Sequence, residues 1–165
     1  MLPVISVVGK SDTGKTTLLE KLIPEIKRRG YRVATVKHDA HRFEIDKPGK
    51  DTYRHFQAGA DAVLISSKEK IALIARTEGE EIPLDDVIKN LPPVDIVLTE
   101  GFKTGNKPKI EVHRKALKRG LLCSAEELIC VATDEPLEID VPCLDINDAV
   151  GIVDLIEKTF LKNSY

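Results

Sequence analysis

The residues best suited to chemistry lie near the amino end. Gly9, Gly14, Lys15 and Thr16 satisfy the spacing G-x-x-x-x-G-K-[ST] within the stretch GKSDTGKT. Each residue type has a physical reason at its place. Glycines let backbone N–H groups turn inward and approach phosphate oxygens without a Cβ in the way. A helix that starts at the second glycine aims its positive end at the same anion. Lys15 can reach the β- and γ-phosphates, and Thr16 has a hydroxyl to give to Mg2+. Ser11, Asp12 and Thr13 add backbone amides, and Thr17 neighbours the α-phosphate. The bland alternative is a turn rich in glycine and serine, but an apolar run precedes this one and a helical period follows it.

A phosphate loop of this kind needs a carboxylate on the metal side, delivered by the end of a buried strand. In DIVLTEGF that residue is Glu100, followed by Gly101 for close backbone approach. Asp95 opens the same strand and belongs at the far end of the sheet. The polar stretch 38–51 holds the other candidates. Asp39 and Asp46 are the further candidates to touch Mg2+ or position water. His38 and His41 are spaced H-x2-H, but no third or fourth ligand accompanies them, so a solvated pair is the better reading. Lys10 follows the first glycine, where deviant P-loop ATPases of the MinD type carry a lysine that reaches a partner's nucleotide. Those proteins prefer glycines at the next two positions. Here Ser11 and Asp12 stand there, which favours a solvated lysine.

Base recognition is less direct. The guanine signature N-K-x-D is absent, and Asn106-Lys107-Pro108-Lys109 lacks its aspartate. Guanine offers two adjacent donors, which one carboxylate can accept together. Asp134, after the apolar run ICVAT, stands where a late strand would deliver such a group. On chemistry alone, a base contact and a helix or turn cap are equally open for it.

These groups must be brought together by strands and helices. Residues 4–8 read as a central parallel strand, residues 15–29 as an amphipathic helix stopped by Gly30, and residues 31–37 as a second strand. Asp51 is a candidate cap for a short helix ended by Gly59. Residues 61–67 and 70–76 read as a β-hairpin, and residues 84–91 as a helix stopped by Pro92-Pro93. Strands follow at 94–102, 109–114 and 128–133, and a closing amphipathic helix has Asn147 as its candidate cap. Alternating strands and helices predict an α/β fold: three layers, a mostly parallel sheet flanked by helices, plus the hairpin. No repeat or long linker divides the chain, so one nucleotide-binding domain over residues 1–165 is expected.

Composition bounds the partners. Among 165 residues, 25 are Lys or Arg and 27 are Asp or Glu. A formal net charge of -2 offers no bulk attraction for nucleic acid or anionic membrane. No apolar run approaches the roughly 20 residues of a membrane span, and the start reads as a strand rather than a leader. Cys123, Cys130 and Cys143 form no C-x-x-C and have apolar neighbours, which suits buried, reduced thiols in the cytoplasm.

Several segments together resemble one family. GKSDTGKTTLLEKLIPEI, TVKHDAH, DKPGKDTYRHFQAGAD, LTEGFK and DINDAVGIVDLIE resemble, in this order, the molybdopterin-guanine dinucleotide biosynthesis protein B (MobB) family. The resemblance runs from residue 4 to about residue 160, matching only loosely over 115–128. It implies a GTP-binding, P-loop protein of the SIMIBI class, homodimeric, with weak GTPase activity and Mg2+. It implies that the protein assists the attachment of GMP to molybdopterin, forming the guanine dinucleotide, beside the MobA guanylyltransferase. By position, Gly9 to Thr17 become the GTP phosphate loop and Glu100 the metal-side carboxylate. Residues 46–51 fall in a switch-like loop facing phosphate or pterin. Asp134, in ATDEPL, matches an aspartate of the family and gains weight as the guanine contact.

Lys15 and Glu100 are then the residues expected to carry slow GTP hydrolysis. No arginine finger or water-orienting glutamine is evident, and a finger is worth about 10^3 to 10^5 in rate. Turnover far below roughly one per second is expected unless a partner completes the site. Two rivals stand beside this reading. One is a small-molecule or nucleotide kinase with HRKALKR, residues 113–119, as a basic lid. The other is a non-enzymatic, nucleotide-dependent adaptor carrying the cofactor.

Overall fold

The computed structural model describes residues 2–38, 43–77, 79 and 81–162. The strands are β1 (Val4–Val8), β2 (Val33–Lys37), β3 (Ala62–Ser66), β4 (Ile71–Ala75), β5 (Ile96–Glu100), β6 (Lys109–Val112), β7 (Leu128–Thr133) and β8 (Cys143–Asp145). The helices are α1 (Lys15–Arg28), α2 (Asp51–Gln57), α3 (Leu84–Ile88) and α4 (Ala149–Ile156). The chain forms two compact units. One joins Met1–His38 to Leu91–Tyr165, and the other is Asp39–Asn90.

In the first unit six strands form one sheet in the order β2-β5-β1-β6-β7-β8, with every pairing parallel. The expected mostly parallel sheet flanked by helices is therefore present, with the antiparallel hairpin β3–β4 separate in the second unit. The sheet alternates with period two. Ile5, Val7, Ile110 and Val112 send their side chains to the face where Leu18, Leu22 and Ile26 of α1 meet Ile152 and Ile156 of α4. The opposite face is also buried, and mixes Val8, Val97 and Val131 with polar residues. Ser6 and Thr99 share a 2.9 Å hydrogen bond there. Lys109 donates to the Gly105 carbonyl (2.6 Å) and to Glu127 (2.8 Å). Glu111 accepts from the amides of Leu122 (2.7 Å) and Cys123 (3.0 Å). These bonds bring Gly105 and residues 122–127 to that face and pair the buried Lys109 and Glu111.

Helix α1 ends as its sequence predicts. Gly30, at φ +90°, donates to Lys27 O (3.0 Å) while Tyr31 donates to Ile26 O (3.3 Å), the double bond of a Schellman stop. Beside that end a charged clasp joins α1 to α4. Glu25 accepts from Arg28 and Arg29, and Arg29 also reaches Asp154 (2.7 Å) and Glu157 (3.0 Å). The Arg28 hydrogen bond, with Arg29 behind it, lowers the Glu25 carboxyl from its ordinary 4.5 to about 2. A depressed carboxylate stabilises the fold fully above its unfolded pKa and loses that contribution as pH falls through the folded one. Glu25→Gln is therefore expected to lower the urea midpoint at pH 7 and to flatten its decline between pH 4.5 and 2. Urea titrations across that range check it.

Several expected boundaries move. Asp51 is the first residue of α2 and Lys50 its cap, because Lys50 holds the extended conformation a cap requires. Asp148, not Asn147, caps α4, accepting from the Gly151 amide at 2.9 Å. Asn147 instead accepts a 2.7 Å bond from Lys21. The strand β8 escaped the sequence reading, since three residues are too few to show a period. Cys130 is buried and its thiol pushed up to about 12 by burial. Cys143 is exposed, contrary to expectation, because it starts the edge strand.

The second unit pairs β3 with β4 in antiparallel register, Leu64 opposite Leu73. Arg76 ties it to α2, lying over the Phe56 ring at 4.2 Å and donating to Phe56 O at 2.6 Å. Leu64, Ile65, Ile71 and Leu73 are more than half exposed along the hairpin. Among the described residues no helix is long and apolar enough to cross a membrane.

Candidate functional site

Because all six strands run parallel, the segments that follow them emerge at one edge. Gly9 follows β1, Gly101 follows β5, Arg114 comes two residues after β6, and Asp134 follows β7. Ligands of open α/β sheets bind outside these carboxyl ends. Residues 125 positions apart in sequence thus share one rim without any local signal that they should.

Gly9 to Thr16 form a loop between β1 and α1. Gly9 sits at φ +147°, and a Cβ there would meet Thr13 Oγ1 and the Val112 carbonyl, each at 2.7 Å. Only glycine lets the loop pass this close to β6. Thr13 is buried and donates to Lys10 O at 2.9 Å, closing the loop on itself. Asp12 takes φ +65°, the left-handed conformation that Asp tolerates better than most residues. Gly14 caps α1 with no side-chain hydrogen bond, and the first helical bond runs from Leu18 N to Gly14 O. The first-turn amides are therefore left for an anion.

Lys15 lies across this loop, donating to Lys10 O (2.8 Å) and Gly9 O (3.2 Å). Burial lowers its pKa, Glu100 opposes that shift, and the charge of Lys103 adds to it. Thr16 donates to Glu100 Oε1 at 2.9 Å. A hydroxyl and a carboxylate side by side at a phosphate loop are hard oxygen donors of the kind Mg2+ takes, with phosphate and water completing its octahedron. The residues present fit that ion. Gly101 holds the carboxylate's strand end close to β2: at φ +113° its Cβ would lie 3.0 Å from His38 O.

Lys10, half-buried, contributes its carbonyl to the loop, while Ser11, Thr16 and Thr17 are exposed around it. Asp134 is at the rim, but its carboxylate already has partners. Oδ1 accepts from the Lys115 amide (2.8 Å) and Oδ2 lies 3.4 Å from Arg114 Nη1. Asp134 thus accepts the first amide of the 115–117 turn from across the rim. His38 follows β2 and packs its ring against Phe102, with centroids 5.0 Å apart. Asp39 and His41 lie outside the described residues. Asp46 belongs to the second unit, at φ +84°, with Oδ1 accepting from the Lys47 amide (2.8 Å). Among the described residues no three His, Cys, Asp or Glu side chains gather as metal ligands.

Sequence reasoning missed the cations around Lys15. Lys37 and Lys103 are near enough to oppose its charge. Arg114 Nε donates to Thr13 O at 3.3 Å. The only sign of Arg114 was its place in a basic run. That run does not arch free as a lid at its start, because His113 is buried against Glu135 (2.9 Å) and Arg114 is bonded to the loop.

A parallel sheet with a phosphate loop after its central strand and a carboxylate beside it defines a protein of the P-loop NTPase fold. The family model for molybdopterin guanine dinucleotide synthesis protein B, MobB, matches residues 4–134, and the chain belongs to that family. It is 41% identical over 158 residues to the molybdopterin-guanine dinucleotide biosynthesis adapter protein of Haemophilus influenzae, covering 94% of this chain and 88% of that one. The Escherichia coli protein of the same name is 37% identical over 169 residues, covering 99% and 97%. A crystal structure of molybdopterin-guanine biosynthesis protein B superposes with a TM-score of 0.73 at 30% identity, over 94% of this chain and 98% of that one. Bacillus subtilis MobB gives 0.76 at 26%, over 96% and 98%.

Proposed function

We propose that this protein binds GTP with Mg2+ and serves as a nucleotide-dependent adaptor in molybdenum cofactor biosynthesis. It assists a MobA-like guanylyltransferase, in the cytoplasm, as GMP is attached to molybdopterin. The observation that carries the proposal is the Thr16–Glu100 pair at the mouth of the phosphate loop, with Asp134 on the same rim. The adapter designation of its relatives supports a carrying role over a kinase.

In this reading the amides of residues 11–15 hold phosphate oxygens and Lys15 balances charge between the β- and γ-phosphates. Thr16 and Glu100 hold Mg2+, which when bound neutralises charge developing on the phosphates. Glu100 also fixes the Thr16 hydroxyl. Slow hydrolysis follows from in-line attack of water on the γ-phosphorus, with no finger among the described residues of this rim. The half-exposed apolar hairpin supports a homodimer, because a two-stranded sheet is marginal alone and a second copy would cover it.

Guanine specificity is tested by titrating GTP and ATP with Mg2+ against the wild type and Asp134→Ala. The wild type is expected to prefer GTP, and the variant to lose about tenfold or more of that preference, as a charge-assisted bidentate pair would. Equal affinity for both purines in the wild type would remove the guanine assignment.

A further inference from the structure

We propose that Arg114 is the positioning residue that couples the phosphate loop to the base-recognition aspartate and offers the purine ring a planar cation to lie against. The inference rests on the GTP-binding reading and names the group that gives its base site shape. Three observations carry it. The guanidinium bridges two segments distant in sequence, donating from Nε to Thr13 O at 3.3 Å and from Nη1 to Asp134 Oδ2 at 3.4 Å. Its Nη2 and Nε lie 3.5 and 3.9 Å from where a Cβ on Gly14 would stand, so the guanidinium sits against the cap of α1. Glu111 on β6 is locked by the amides of Leu122 and Cys123, and His113 just after β6 by Glu135. Arg114 is thus aimed, while remaining about one third exposed.

The chemistry follows from the fork. A guanidinium can hold a carbonyl and a carboxylate at once and still present a flat face to an aromatic ring. The Lys115 amide, with Arg114 behind it, lowers the Asp134 pKa and orients its carboxylate. Guanine's N1–H and 2-amino donors can take one oxygen each, replacing the long 3.4 Å contact on Oδ2 and using the second lone pair of Oδ1, whose first holds the Lys115 amide. Arg114, released on that side, stays tied to Thr13 O and packs on the ring. A lysine has the charge but neither the fork nor the plane.

The test compares GTP, ATP and inorganic tripolyphosphate, all with Mg2+, by calorimetry on wild type, Arg114→Ala and Arg114→Lys. Arg114→Ala is expected to weaken GTP about tenfold and to lower the GTP-to-ATP ratio, while tripolyphosphate stays within about threefold. Arg114→Lys is expected to keep tripolyphosphate binding but to leave the ratio low. Equal losses for GTP and tripolyphosphate would make Arg114 a phosphate ligand and overturn the inference. Unchanged GTP binding in Arg114→Ala would overturn it too. Should the alanine variant fail to fold, Arg114→Lys decides: a wild-type ratio there overturns the proposal. Equal GTP and ATP affinity in the wild type is a separate result, seen before any variant. It overturns the guanine reading, and the ring contact then stands or falls on the nucleotide-to-tripolyphosphate comparison.

Discussion

Lys15→Ala is expected to lower the affinity for Mg–GTP by about 100-fold or more, with little change in thermal stability. The affinity estimate comes from losing charge-assisted contacts to phosphate, worth roughly 1.5–3 kcal/mol each. The stability expectation comes from where the ammonium sits. Its two partners are carbonyls of its own loop, Gly9 O and Lys10 O. Burial has already lowered its pKa, so the folded protein holds this charge at a cost that an anion would relieve. Removing the side chain should leave the sheet intact, because the loop keeps the Thr13 bond to Lys10 O. Fluorescence titration with a labelled GTP analogue, beside a melting curve, separates the two effects. A variant that binds as the wild type does would mean that the loop does not grip a triphosphate.

Gly9→Ala should fail differently, losing both nucleotide affinity and stability. An added Cβ would stand 2.7 Å from the Val112 carbonyl and from Thr13 Oγ1 while the backbone is held at φ +147°. The threonine end can swing, but the strand carbonyl cannot, since β6 is buried between β1 and β7. Strain at such a backbone position costs about 1–3 kcal/mol before any clash is counted, so a loss of about 3 kcal/mol in denaturant stability is expected. The loop amides would be displaced at the same time, and GTP binding should fall at least as far as in Lys15→Ala. The companion Thr13→Ser keeps the hydroxyl bond to Lys10 O and is expected to be near neutral. A stable Gly9→Ala that binds GTP normally would show that the loop can pass β6 by another path.

The loop from Gly9 to Thr16 was legible because its geometry is local. Gly9, Gly14, Lys15 and Thr16 act within one turn of chain, and their spacing encodes the bend and the helix start together. Glu100 was legible for a related reason: a buried run that ends in a carboxylate and a glycine can only deliver it at the sheet edge. The helix stop at Gly30 and the hairpin of β3 and β4 belong to the same class, being set by neighbours a few residues away.

Other features depended on which strands are neighbours, and no local pattern carries that. Arg114 and Asp134 meet because β6 lies between β1 and β7, which brings residue 114 beside residue 13. Asp148 rather than Asn147 caps α4 because its side chain reaches the Gly151 amide, while Asn147 is engaged by Lys21 from α1. Lys109 and Glu111 read only as parts of a strand, and the fold shows what pairs their buried charges: Gly105 O and Glu127 for Lys109, the Leu122 and Cys123 amides for Glu111. Sequence alone determined the glycine-bounded turn before α1 and the class of sheet that presents it, since both arise from short-range sterics and periodicity. The tertiary structure decided how the rim is assembled around that turn, because hydrogen bonds between parallel strands join residues that the chain itself keeps far apart.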